Sequence, residues 1–493
     1  MKKILYIIFS IFPFFCIAQK QGNIWYFGDH AGLDFNTGAP VVLTNGQTYQ
    51  AGSINCPIEG TAVICDSTGA LLFYTNGQKI WNKNHQVMPN GDNLLGNYSS
   101  TQAALIVPLP GTSRYFYVFT TDDFCEDNLQ YGFRYSIVDI CQDNGFGDIM
   151  IDKKNIKLLD TVAEKLTAVS HANGIDYWII THKYYSDAFY SYHLSSIGIV
   201  DTVISHVGSI HPAGLQNSGQ AIGYLKASPN GQKLAIVNGN SNYSIAEYFD
   251  FNKTTGIVSN GVSIQTNPLY NYYGISFSPD NSKFYIACWL NNNGIYQFNL
   301  QAGGGNPDSV KASKISIISG THYAMQLATN GKIYVARMAS GNQYIGVINN
   351  PNDLGLACNL IDSAIYLDGK FCGMGFPNFI DSYDYSNATY KCPDTTEIVN
   401  EHENKNNAVL YQNEPNPFDN NTVIRYYIPE GTIGDAFILF SDMYGNEIKK
   451  EDITVKGFNN IKANTENLAS GIYSYSLIID GNVMDTKKMI RKK

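Results

Sequence analysis

Tyr224-Leu-Lys-Ala-Ser-Pro-Asn-Gly-Gln-Lys-Leu-Ala-Ile-Val237 reads as a short apolar strand, a tight turn and a second apolar strand. The pattern returns at Gly274-Ile-Ser-Phe-Ser-Pro-Asp-Asn-Ser-Lys-Phe-Tyr-Ile-Ala287 and at Ala324-Met-Gln-Leu-Ala-Thr-Asn-Gly-Lys-Ile-Tyr-Val-Ala336. Ser228, Ser278 and Ala328 are each 50 residues apart. Pro presets φ at the first central turn position, and Gly or Asn accepts positive φ after it. Looser copies stand upstream, with Asp66-Ser-Thr-Gly69, Pro110-Gly-Thr-Ser113 and Ala172-Asn-Gly174 each between two apolar runs. Further short strands follow each hairpin, such as Ile245–Phe251 and Ile295–Leu300. Four short strands at a period of about 40–50 residues are the signature of a propeller blade.

The two ends of the repeat region supply one more unit. Ile24–Phe27, Leu33–Phe35 and Val41–Thr44 read as three outer strands without an inner one, and Gly375–Asp381 as an inner strand without partners. Joining them closes a ring and leaves few open sheet edges. The expected fold is all-β: a seven-bladed β-propeller over roughly residues 22–388, within a domain spanning 19–390. Six or eight blades also fit, because the first three units are irregular.

Composition agrees with this. Charged residues are only 15% of the chain, whereas aromatics reach 13% beside 44 Gly, which suits pleated surfaces and turns and not helical bundles or disorder. The net charge of −9 offers no basic field for a phosphate backbone, so nucleic acid is not an expected partner. Lys2 and Lys3, the apolar run Ile4–Ala18 and the ending Cys16-Ile17-Ala18 read as a secretory signal peptide over residues 1–18. That 15-residue run is shorter than the ~20 residues a membrane-spanning helix needs. No later stretch is apolar enough, so the mature chain is expected to lack a transmembrane segment. Beyond Cys16 there are eight cysteines, an even number that permits disulfides in an exported protein through any of 105 pairings.

In a propeller the loops before each inner strand, and those between the second and third strands, converge on one face. That face is expected to receive Asp29, His30, Asp122, Asp123 and His182 from the first half of the repeat region. Tyr272, Trp289, His322 and Arg337 come from the second half. Glu59, Gln102, Glu126, Lys183, Tyr184, His211, Gln220, Tyr270 and Tyr323 join them. Aromatic rings among amides, imidazoles and carboxylates suit stacking and hydrogen bonding to sugars. Thr121-Asp-Asp-Phe-Cys-Glu-Asp127 crowds four carboxylates that could ligate Ca2+, yet it lacks the glycine and alternating ligands of an EF-hand loop; no other cofactor is expected. His171, His182 and His193 recur at intervals of 11, which puts them in different strands or loops, so they need not meet. No nucleophile elbow, HExxH or P-loop motif is present.

Between Lys391 and Ala408 the chain turns polar, as a linker does. Residues 409–493 then alternate like a small Ig-like β-sandwich, with strands at Thr422–Ile428, Ala436–Ser441, Ile448–Val455, Asn459–Ala463, Gly471–Ile479 and Met484–Arg491. Leu410-Tyr-Gln-Asn-Glu-Pro-Asn-Pro-Phe418, Thr422-Val-Ile-Arg-Tyr-Tyr-Ile-Pro429, Asp442-Met-Tyr-Gly445, Leu468-Ala-Ser-Gly-Ile-Tyr-Ser-Tyr475 and Lys487-Lys-Met-Ile-Arg-Lys-Lys493 follow in order. Together they resemble the type A C-terminal sorting domain of the type IX secretion system. The residues that match are Pro415, Asn416, Pro417, Phe418, Gly445, Gly471, Tyr473, Lys487 and Lys488. The resemblance implies export across the outer membrane of a Gram-negative bacterium, with the secretion machinery as partner, and a secreted or cell-surface protein. Asn23-Ile-Trp-Tyr-Phe-Gly28, Gly32-Leu-Asp-Phe35 and Gly375-Phe-Pro-Asn-Phe379 likewise resemble propeller regions, of the WD-repeat or YVTN kind, in surface proteins exported this way. Residues 19–408 carry 21 basic and 31 acidic residues, a balance that disfavours direct adhesion to anionic lipid or polyanionic glycan. The expected function is a binding or adhesion module for glycan or protein. The alternative is an extracellular polysaccharide-degrading hydrolase or lyase using Glu59, Asp122 or Asp123, and a third class is a structural surface-layer component.

Overall fold

The computed structural model describes residues 20–49, 58–211, 221–239, 244–264, 270–289, 293–337, 343–382, 390, 392, 408–413, 416–418, 421–429, 431–442, 445–464 and 469–492. The signal-peptide reading, Gln220 and Pro415 lie outside these residues. The protein is all-β, with 49% strand and 5% helix. It divides into two compact units, Met1–Cys392 and Pro393–Lys493.

In the first unit the described residues form seven small antiparallel sheets, each built from strands consecutive in the chain. They open with Ile24–Phe27, Ala62–Cys65, Ala104–Pro108, Val162–Ser170, Leu225–Ala227, Tyr272–Phe277 and Met325–Leu327. Each of these leading strands lies beside the next one in chain order. The last sheet returns to the first: Thr329 Oγ1 donates to Asn23 Oδ1 at 2.8 Å, and Trp25 meets Tyr334 edge-on at 5.4 Å. The 50-residue repeat is the first hairpin of sheets five, six and seven. Ser228 N–H donates to the Lys233 carbonyl, Ser278 N–H to that of Lys283 and Ala328 N–H to that of Lys332, all at 2.9 Å.

The hydrophobic effect holds the sheets together face to face. Trp25 is fully buried, with Phe35, Phe376 and Phe379 at 5.0, 5.5 and 5.9 Å. Burying one such ring is worth roughly 2–3 kcal/mol. Leading strands are buried along most or all of their length, and Ala104–Pro108 and Tyr272–Phe277 throughout, so these two read as apolar runs and not as alternations.

One expectation needs correction. Gly375–Asp381 does not extend the ladder of Ile24–Phe27, because Pro377 has no N–H to give and the segment bonds elsewhere. Met374 N–H donates to Ile58 O at 3.0 Å and Asn378 N–H to Thr61 O at 2.8 Å, while Ala324 N–H donates to Met374 O at 3.1 Å. Cys141 and Cys392 form a disulfide with Cα atoms 5.2 Å apart, and Cys125 is also disulfide-bonded. Cys65, Cys288, Cys358 and Cys372 are free and buried.

The second unit has two sheets. One orders Val409–Leu410, Asn421–Ile428 and Gly457–Asn464; the other orders Glu447–Ile453, Ala436–Ser441, Gly471–Ile479 and Asn482–Arg491. Ile424, Tyr426, Ile438, Phe440, Tyr475, Leu477 and Met489 form one core shared by both sheets.

Candidate functional site

The starts of the leading strands carry charge into the interior. Glu164 and Lys165 are adjacent in the strand Val162–Ser170, where the ladder shifts register between Val162 and Leu166. Such an irregularity re-aims side chains that would otherwise alternate. Glu164 Oε2 accepts from Thr101 N–H at 2.9 Å and Thr101 Oγ1 at 2.8 Å, and Oε1 accepts from Phe124 N–H at 3.0 Å. Lys165 Nζ donates to the carbonyls of Ala221, Ile222 and Gly223 at 2.8, 2.8 and 2.9 Å. Burial pulls the Lys165 pKa down, but three carbonyl acceptors match the three hydrogens of an ammonium, so the geometry holds it charged. Burial pushes Glu164 up to about 7. Glu59, which accepts from the Tyr273 hydroxyl, is raised well above the usual carboxylate range by burial and then by the charge of Glu164. Sequence reading named Glu59 but missed Glu164, Lys165, Thr101 and Tyr273. The signal was the pair of charges inside the otherwise apolar Val162-Ala-Glu-Lys-Leu.

The predicted face residues fall into separate groups. Asp122 and Asp123 are buried and act as loop caps. Asp122 accepts from the N–H groups of Tyr131 and Asp123 at 2.7 and 2.9 Å, and Asp123 from those of Glu126 and Asp127 at 3.0 and 3.1 Å. Burial lifts Asp122 to about 7. Asp122, Asp123 and Asp127 are close enough to share a cation, but the oxygens of Asp122 and Asp123 already accept from the backbone and those of Asp127 from the Asn97 and Gln130 amides. Glu126 accepts from Tyr98 Oη at 2.8 Å. Gln102 Oε1 ties the fourth sheet to the fifth by accepting from Leu166 and Leu225 N–H at 3.1 and 2.8 Å.

His182 stacks on His211, both buried, with ring centroids 4.1 Å apart. Burial drives His182 down to about 3 and His211 well below the usual imidazole range. His171 and His193 do meet, stacked at 4.8 Å, because His171 ends the first hairpin arm and His193 lies on the third strand beside Trp178. Asp176 Oδ2 holds His193 Nε2 at 3.0 Å, while His171 Nδ1 accepts from Asn173 N–H at 3.0 Å and Nε2 faces Thr254 O at 3.2 Å. Both His171 nitrogens are therefore engaged in a closed network, which does not suit a metal ligand.

His322 and Arg337 converge on Asp362. His322 Nε2 lies 2.8 Å from Oδ1 and Arg337 Nη2 lies 3.0 Å from Oδ2. Burial works against the Asp362 charge, but the His322 hydrogen bond and the Arg337 guanidinium hold its pKa below the ordinary value. Trp289 lies over Tyr273 at 6.4 Å, and Tyr323 meets Tyr273 edge-on at 5.8 Å; Tyr272 meets Tyr270 at 5.9 Å. Asp29 and His30 form their own pair at 2.5 Å, with Tyr49 against the imidazole.

In the second unit the predicted sorting motif is built onto the last strand. Phe418 is buried; its N–H donates to Ile490 O at 2.9 Å and its carbonyl accepts from Lys492 N–H at 2.7 Å. Asn416 Nδ2 donates to Lys488 O at 3.1 Å and its Oδ1 accepts from Ile490 N–H at 2.8 Å. Gly445 turns with φ +86° above Asp442, Tyr473 Oη donates to Ala469 O at 2.7 Å, and Lys487 pairs with Asp485 at 2.9 Å. Gly471 opens the strand that carries Tyr473.

Among solved structures, a provisionally assigned 6-phosphogluconolactonase from Bacteroides uniformis is 13% identical, with a TM-score of 0.43 over 72% of this chain and 99% of that one. The hypothetical selenium-binding protein of Sulfolobus tokodaii is 11% identical, with a TM-score of 0.44 over 75% and 97%. A Niastella koreensis GH74 enzyme is 11% identical, with a TM-score of 0.35 over 89% and 73%. Scores this low say nothing about activity. No curated protein matches the chain. The family described as "Secretion system C-terminal sorting domain" matches residues 414–492. With that domain at its C-terminal side, the chain is a cargo of the type IX secretion system, exported for secretion or for the cell surface.

Proposed function

We propose that residues 19–390 are a seven-bladed propeller serving outside the cell as a binding or adhesion module for glycan or protein. A linker at 391–408 joins it to a small Ig-like sorting domain at 409–493. The cyclic order of seven sheets supports the blade count. One observation carries the binding role: six buried nitrogens without a hydrogen-bond partner belong to five of the predicted face residues. They are His182 Nδ1, both ring nitrogens of His211, Trp289 Nε1, His322 Nδ1 and Arg337 Nε. Leaving such groups unmet costs roughly 1–3 kcal/mol each, a cost that a ligand rich in hydroxyl or carbonyl groups would offset. The test is retention of the mature chain on an array of neutral polysaccharides and surface proteins. Saturable retention that Trp289→Ala weakens at least tenfold, with no product released, is the expected result; no retention on any surface would refute it.

A second reading rests on Glu59 and Glu164, two buried carboxyls that Thr101 and Tyr273 hold near each other and whose pKa values are raised. Product release from a polysaccharide, abolished by Glu164→Gln, would put a hydrolase or lyase in place of the binding module. Export has its own check. Removing residues 409–493 should leave the propeller in the periplasm, and normal appearance outside the cell would contradict the sorting role.

A further inference from the structure

The segment that follows the seventh sheet crosses the middle of the unit. Its backbone passes so close to Glu59 that a Cβ on Gly375 would stand 1.9 Å from the Glu59 carbonyl oxygen, so only glycine fits there. Three residues further on, its side chains begin to reach residues of one sheet after another. Asn378 Nδ2 donates to Leu166 O of the fourth sheet at 2.8 Å. Its Oδ1 accepts from Gln102 beside the third sheet and from Lys226 of the fifth, each at 3.4 Å. Asp381 Oδ1 accepts from Gln326 of the seventh sheet at 2.9 Å, and Oδ2 pairs with the buried Lys226 ammonium at 3.2 Å. Ser382 finishes the series: its hydroxyl accepts from Ser170 N–H at 3.1 Å, and its carbonyl accepts from Ser170 Oγ at 2.9 Å.

The same chain is then fixed twice more. Tyr390 is buried against Phe116 of the third sheet at 5.0 Å, and Cys392 is bonded to Cys141 just after that sheet's third strand. Cys392 is the last residue of its unit, and every residue of the sorting domain lies beyond it.

We infer that residues 371–382 are an axial latch closing the ring, and that the Cys141–Cys392 bond shields this latch from pull arriving through the C-terminal side. The order of attachments supplies the reason. Tension entering at residue 393 reaches a covalent bond first and passes into the third sheet. Without that bond it would run back through Tyr390 into Ser382, Asp381 and Asn378. Their hydrogen bonds would then be loaded one after another, from the end, which is the weakest way to strain such a set. Export by machinery that engages the C-terminal domain is a setting in which this tension arises.

The experiment is single-molecule pulling of the full mature chain with handles at its two ends. Oxidised wild type is compared with Cys141→Ser/Cys392→Ser, each with and without Asp381→Ala. The double-serine chain should show a new first event at no more than half the force of the oxidised chain. That event should release up to 22 residues, about 75 Å when extended. Asp381→Ala should lower it further in that background and leave the first event of the oxidised chain unchanged. Equal first-event forces with and without the disulfide would overturn the proposal, as would an equal effect of Asp381→Ala in both. Should the double-serine chain fail to fold, wild type reduced with dithiothreitol after folding serves in its place, with the same two outcomes.

Discussion

Two groups of buried charge lie along the leading strands, and they are settled by different physics. At the latch, Lys226 sits among Asp381, Asn378 and Gln326, so charge is met by charge and by hydrogen bonds. Near the strand starts, Glu59, Glu164, Asp122, His182 and His211 are buried with their pKa values displaced toward the neutral form. Burial can be answered by pairing or by neutralisation, and this chain uses both a short way apart. Pairing fixes geometry, whereas neutralisation leaves groups ready to change state when the surroundings change.

The largest expected effect tests the paired group. Lys226→Met should leave Asp381 buried without its cation and cost about 3–5 kcal/mol. All four tryptophans precede residue 393, so tryptophan fluorescence during urea unfolding reads that unit alone. A loss under about 1 kcal/mol would erase the distinction drawn here.

Acidity tests the neutralised group, and the two kinds of member oppose each other. Glu164 and Asp122, at about 7, keep protons that the unfolded chain releases above about 4.5, so their contribution favours folding at low pH and is lost as pH rises toward 7. His182, at about 3, refuses a proton that the unfolded chain accepts below about 6.5, so its contribution is lost as pH falls. His211 acts in the same direction as His182. In His182→Phe/His211→Phe only the carboxyl effect remains. Between pH 7 and pH 5 that variant should gain about 3–4 kcal/mol relative to wild type, about 2 for each imidazole removed. A parallel pH profile for the two proteins would show that the imidazoles are not shielded as described.

Glu59→Gln should do less, under about 1 kcal/mol at pH 7, because the carboxyl it replaces is already held protonated. A larger loss would mean that Glu59 is ionised and belongs with the paired group. Smallest of all, Lys157→Met removes a solvent-exposed pair with Asp160, and the urea midpoint should not move.

The repeat of 50 residues was readable because each copy is one local hairpin, and Ser228, Ser278 and Ala328 mark the same backbone turn. The sorting domain was readable for a similar reason, since its strands alternate and its motifs stand in order. What escaped reading depends on contacts across hundreds of residues. Asn378 meets Leu166 over 212 positions, and Pro377 is the one local sign in Gly-Phe-Pro-Asn-Phe that speaks against an inner strand. Tyr273 reaches Glu59 over 214 positions. The histidine series misled in part for the opposite reason: His171 and His193 meet through two ordinary antiparallel registers, while His182 between them turns to a different partner. The predicted face contributed real neighbours in His322 with Arg337 and in His182 with His211, but Asp29 and His30 form a pair of their own.

The four buried thiols bear on the order in which this protein matures. Eight cysteines free to react have 105 ways to pair, and four have three. Folding places Cys65, Cys288, Cys358 and Cys372 out of reach, and burial raises all four pKa values, Cys288 to about 12, which suppresses the reactive thiolate. A chain that folds before it is oxidised thus chooses among three two-bond pairings and, without the help of an isomerase, avoids all 105 four-bond isomers. One that meets an oxidant first must find its way out of them.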